Sequence, residues 1–62
     1  MRFNINVVFD TGEVIQFHNV VEFTVSEFRI SVAEDMGEFI SHDTRPFDDE
    51  PTFIEVVPVA GS

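Results

Sequence analysis

The side chains in this chain that could do chemistry are His18 and His42, the serines Ser26, Ser31 and Ser41, and twelve carboxylates. A zinc site needs Cys or His ligands at short, fixed spacings. The chain has no Cys; Asp43 beside His42, and Asp10, Glu13 or Glu22 near His18, do not make that pattern. A lone histidine on the polar side of a strand is ordinarily just hydrated. The acids at 43–50 invite a calcium ion, but the central glycine and alternating oxygen ligands of a calcium loop are missing, and Pro46 and Arg45 intrude. A serine nucleophile needs a base, an orienting acid and, in one common form, a glycine-flanked elbow; no such glycines flank these serines. Paired carboxylates for glycoside chemistry need a cleft, and phosphate binding needs a glycine-rich loop. Neither requirement is met. The residues predict a protein that is not an enzyme, with no cofactor and no metal.

Charge is the outlying property. Twelve acids against three basic residues give −9 on 62 residues. Residues 1–33 hold four acids against Arg2 and Arg29, a balance of −2. Residues 34–62 hold eight acids, Glu34, Asp35, Glu38, Asp43, Asp48, Asp49, Glu50 and Glu55, against Arg45 alone, a balance of −7. A field of this sign repels nucleic acid and anionic membrane and steers the chain toward basic surfaces. Solubility of a chain with eight Phe is a sufficient alternative reason for the acidity.

Those acids must be carried by a small scaffold. A chain of this length makes one domain, 1–62, and buries only ~60% of its unfolded surface. No disulfide supports it, no apolar run approaches the ~20 residues of a membrane span, and Met1-Arg2 leads into an alternating segment rather than a signal core. The expected setting is the cytoplasm. Phe3, Ile5, Val7 and Phe9 fall on one face with Arg2, Asn4, Asn6 and Val8 on the other, Asp10-Thr11-Gly12 supplies turn chemistry, and Ile15 and Phe17 resume the alternation: a β-hairpin.

Val20–Val32 supports two readings. As strands, Val21, Phe23 and Val25 face inward, a turn falls at Ser26-Glu27, and Phe28, Ile30 and Val32 continue the same face. As a helix over about 25–36, Thr24 is the N-cap, Glu27 its capping-box partner and Gly37 the stop. The strand reading is preferred. Ile30 would project from the helix's polar side, Glu34 and Asp35 would oppose its dipole, and Phe-Arg-Ile-Ser-Val is β-rich. Glu34–Gly37 then forms a second turn and Glu38–His42 a short strand with Phe39 and Ile40. Residues 43–51 form an acidic, Pro-flanked loop. Thr52–Val59 is a closing strand; because Pro58 lacks an N–H, its segment belongs at a sheet edge or past the strand's last paired residue. Residues 60–62 are a tail. The fold class is all-β: a small antiparallel meander of five to six strands, a bent sheet or an SH3-like barrel. The helix reading makes it α+β, ordered ββαβ.

The runs G-E-x-I-x-F-x-N-V at 12–20, F-x-V-x-E at 23–27, I-x-V-x-E-D-x-G at 30–37, F-I at 39–40 and F-I-E-V-V-P at 53–58 resemble small β-meander proteins of bacteriophage and prophage genomes. The resemblance covers most of the chain and implies a bent sheet or SH3-like barrel. It carries no functional residue, and the acidic loop at 43–51 departs from the pattern.

Recognition is the function class that remains. Phe47 stands between Arg45 and Asp48-Asp49-Glu50, flanked by Pro46 and Pro51, as an interface anchor with a polar rim would. The competing role for Phe47 is a lid on the core. The expected partner-binding residues are Glu34, Asp35, Glu38, Asp43, Arg45, Phe47, Asp48, Asp49 and Glu50. They suit a phage-type acidic inhibitor that occupies the basic, nucleic-acid-handling surface of a bacterial host enzyme. Carboxylates two apart on a strand lie ~6.7 Å from one another, near the phosphate spacing, so Asp48 and Glu50 sketch a DNA mimic. The alternative is a homo-oligomeric structural or virion-assembly component, since Val8 and Val14 add apolar surface on the second face and a second copy would cover it.

Overall fold

A computed structural model describes residues 1–61. Five antiparallel strands, β1 (Phe3–Val8), β2 (Val14–Val25), β3 (Arg29–Asp35), β4 (Ile40–Pro46) and β5 (Phe53–Pro58), form one sheet in the order β4-β3-β2-β1-β5. The protein is all-β, and the described residues contain no helix. Residues 25–36, the span of the alternative helix, are instead the end of β2, a turn and β3. The sheet is bent but not closed, because β4 and β5 do not touch. It is the bent sheet rather than a sealed barrel.

The core lies on one face: Ile5, Val7, Phe9, Phe17, Val20, Ile30 and Val32 are buried, with Phe3, Ile15, Phe23, Phe47 and Ile54 packed against them. β1 supplies its share by the simple alternation of a half-buried strand. The twelve-residue β2 does not. Its register slips once against β1, where Phe3 faces Val20 but Ile5 faces Phe17, and once against β3, where Val20 faces Glu34 but Glu22 faces Ala33. Each slip is a bulge, and each moves the inward-facing set by one residue. The core positions therefore run Ile15, Phe17, Val20, Phe23. Val21 and Phe28, expected inside, are outside, with Phe28 69% exposed, while Val25 keeps the inward phase opposite Ile30 but lies exposed at the rim of the core. Strict alternation through Val20–Val32 is the assumption that fails.

The first bulge is held by side chains. Asn19 takes the left-handed conformation at φ 54°, which Asn tolerates better than most residues. The backbone N–H of His18 donates to Glu34 Oε2 at 3.2 Å, and that of Asn19 to Asn4 Oδ1 at 3.3 Å. Both donors on the irregular stretch thus find acceptors on the flanking strands. Together the two bulges bend β2, so one strand serves β1 with its first half and β3 with its second.

The turns differ from expectation by a few residues. The first hairpin is closed by Phe9 and Glu13, with Phe9 N–H donating to Glu13 O at 3.0 Å. Between β2 and β3 the loop residues are Glu27 and Phe28, and Ser26 Oγ accepts from the N–H groups of Phe28 and Arg29. That hydroxyl supplies the turn chemistry that Ser-Glu lacks as a hairpin dipeptide. The second turn is Met36–Phe39 rather than Glu34–Gly37, since Glu34 and Asp35 still pair with Ser41 and Ile40. β4 accordingly runs through Asp43, Thr44, Arg45 and Pro46, and the acidic loop shrinks from 43–51 to 47–52. The tail expected at 60–62 is described only to Gly61; Ser62 lies outside the described residues.

Candidate functional site

The acids reach their places by three routes. Glu34 holds the β2 bulge, as above. Asp35 meets Arg2 (Nε to Oδ2, 3.2 Å) and caps the turn by accepting the Gly37 N–H at 2.8 Å. Asp43 lies opposite Val32 and Arg45 opposite Ile30, so both side chains emerge on the core side of the sheet, at its far edge. There they pair with each other at 3.5 Å. These four residues, expected at a partner surface, each make an intramolecular contact there.

Phe47 is engaged as well. Its N–H donates to Phe28 O at 2.8 Å, and its half-buried ring meets Phe9 edge-on. It covers the core. Five of the nine expected binding residues thus have structural work, leaving Glu38, Asp48, Asp49 and Glu50. Glu38 sits in the Met36–Phe39 turn and the other three follow Phe47, beyond the opposite end of β4. A seven-residue strand is about 23 Å long, so these acids form two patches and not one face.

The larger patch gains members from the other half of the chain. The Phe9–Phe47 contact and the hydrogen bond from Thr52 N–H to Val8 O (2.8 Å) seat residues 47–52 beside the first hairpin turn. Asp10 and Glu13 on that turn join Asp48, Asp49 and Glu50 at one end of the molecule. No described residue forms an ion pair with any of the five; the pairs Arg2–Asp35 and Arg45–Asp43 lie elsewhere. Sequence reasoning missed Asp10 and Glu13 because it divided the acids by chain half. The cue it had was the Asp10-Thr11-Gly12 turn, which had to project from the sheet. Asp48 and Glu50 lie in a loop rather than a strand, so the alternating spacing invoked for phosphate mimicry is absent.

Three open depressions mark the remaining surface. On a body of 34 × 21 × 15 Å these depressions are shallow and open to solvent. One, lined by Glu22, Thr24, Ser31, His42 and Thr44, crosses β2, β3 and β4 on the face away from the core, where Ser31 and Thr44 hydroxyls meet at 3.0 Å. Another, lined by Arg2, His18, Glu34 and Asp35, borders the β2 bulge. The two histidines are therefore in separate depressions. Among the described residues no group of three or more His, Asp or Glu side chains is placed to hold a metal ion.

The chain matches no family model, no curated protein and no solved structure. The functional reading therefore rests on the geometry of the sheet and its acids.

Proposed function

We propose that this protein is a non-enzymatic binding module whose acidic end docks on a basic protein surface. The observation that carries this reading is the gathering of Asp10, Glu13, Asp48, Asp49 and Glu50 on two adjoining loops, none with a cationic partner among the described residues. Five uncompensated carboxylates on a small body produce a local potential that attracts Lys- and Arg-rich surfaces and speeds encounter with them. Such surfaces are typical of enzymes that handle nucleic acid. With the resemblance to phage and prophage proteins, the fitting role is an inhibitor that covers the nucleic-acid-binding surface of a bacterial host enzyme.

The test is affinity capture from bacterial lysate at low and high salt, with and without competing duplex DNA. Recovery of a basic, nucleic-acid-binding enzyme that DNA displaces and salt weakens is the expected result. Capture of no such enzyme even at low salt sinks the reading.

A further inference from the structure

The two edge strands of the open sheet are not equivalent. In an antiparallel ladder the N–H and C=O of a residue point the same way, and the direction alternates along the strand. On β4, Phe47 N–H donates to Phe28 O, so residues 41, 43 and 45 face β3, and 40, 42, 44 and 46 face the open edge. On β5, Val59 N–H donates to Arg2 O at 2.9 Å, so residues 53, 55 and 57 face β1, and 54, 56 and 58 face the open edge. Pro46 and Pro58 both stand where the missing N–H removes an outward donor and costs no ladder bond. Proline and inward-pointing charge are the usual means of blunting an exposed edge. β4 has both, since Asp43 and Arg45 project on the core side. β5 has proline alone, at its last residue as in β4, and the stretch before it, Phe53-Ile54-Glu55-Val56-Val57, puts no charge on the core side.

From this asymmetry we infer that the open edge of β5 accepts an extended segment of a basic partner protein as a sixth, antiparallel strand. The inference rests on the acidic-module reading and specifies how such a partner is held. Ile54 and Val56 present N–H and C=O outward, and Pro58 adds a C=O, so the partner's backbone can continue the sheet. On the core side, Val56 is 39% exposed beside half-buried Ile54, and apolar partner residues opposite them extend the core. On the other side stands Glu55, held by Asn6 Nδ2 at 2.9 Å, which calls for Lys or Arg opposite. An antiparallel partner reaches Phe53 last, so its C-terminal end lies toward Asp48, Asp49 and Glu50. The segment that fits is apolar–basic–apolar followed by basic residues. Charge also selects this occupant over a second copy, which carries the same net −9 and would set a second Glu55 and a second 48–50 loop near this edge.

The probe is a synthetic peptide alternating valine with lysine and ending in two arginines. Its control is the same peptide with N-methyl groups on the valine amides, which keeps the charge and blocks strand pairing. The unmodified peptide should bind at least about tenfold more tightly, and amide exchange of Ile54 and Val56 should slow on binding. Val56→Pro removes one outward donor without a ladder bond and should abolish the difference. Glu55→Lys should shift preference to a peptide alternating valine with glutamate, which keeps the test decisive if the proline variant misfolds. Equal affinity for the two valine–lysine peptides overturns strand addition but leaves the acidic module standing. Binding of neither peptide overturns strand addition, and the lysate capture then decides the acidic reading separately. Protection of both amides in a dimer without peptide also overturns the proposal, in favour of a second copy.

Discussion

The rings of Phe9 and Phe47 meet at 75° with centroids 5.8 Å apart, and this contact ties the 47–52 loop to the first hairpin turn. An edge-to-face pair of this kind adds about 0.5–1.5 kcal/mol beyond area burial. It fixes the core lid and, through the residues that follow each ring, the acidic end. Phe47→Ala should therefore destabilise the fold by about 2 kcal/mol, below the range for fully buried Phe because the ring is half-buried. Urea titration measures the loss. Phe47→Leu should recover part of it. A Phe47→Ala chain of unchanged stability would show that the ring is not part of the core.

The bend in β2 depends on a backbone conformation that few side chains accept. Asn19 at φ 54° can be replaced by Gly with little steric penalty, whereas a β-branched residue meets its own carbonyl there. Asn19→Val should cost about 1–2 kcal/mol in thermal or urea unfolding and Asn19→Gly distinctly less. The reverse order would mean that the positive φ is not required.

The same bend marks what the sequence could and could not disclose. Phe3, Ile5, Val7 and Phe9 announced β1 because nothing interrupts their period of two. Pro58 pointed to an edge strand or a strand end because a missing N–H costs no ladder bond at either, and it stands at both. Val20 and Val21 are chemically identical neighbours, and only the bulges decide that Val20 is inside. Asn19 was visible as an interruption, but an interruption does not say by how many residues the phase moves. The site was harder still. Glu34, Asp35 and Asp43 contribute charge to any tally of composition, yet they hold an amide, a turn and an arginine, while Asp10 and Glu13 join the acidic end through a tertiary contact 38 positions apart, Phe9 to Phe47. Charge counts do not distinguish an engaged carboxylate from an uncompensated one.

That distinction is itself testable. Replacing Asp48, Asp49 and Glu50 by Asn, Asn and Gln removes three charges that no described residue neutralises. Stability should stay within about 0.5 kcal/mol of the parent, or rise as self-repulsion eases. Association with a captured basic partner should slow and lose much of its salt dependence. Replacing Glu34 and Asp35 by Ala should do the opposite: lower stability by about 1 kcal/mol, through the lost acceptors for His18 and Gly37, and leave the salt dependence of binding largely intact. Equal effects of the two sets on binding would show that the acids act only through net charge.

The prolines on the two edges make separate predictions because their surroundings differ. Pro58→Val adds an outward N–H to β5 and extends an apolar edge that already exposes Val56 and Val57. Light scattering across a concentration series should show self-association of this variant where the parent scatters as before, because edge-to-edge pairing is then opposed only by like charge. Adding salt should increase the association by screening that charge. Pro46→Val adds an outward N–H to β4, but any strand laid there meets Asp43 and Arg45 on the core side of the sheet, which disfavour an apolar neighbour. It should remain as dispersed as the parent. Association of the Pro46 variant but not of the Pro58 variant would invert the assigned roles, making β4 the receptive edge and Pro46 its principal guard.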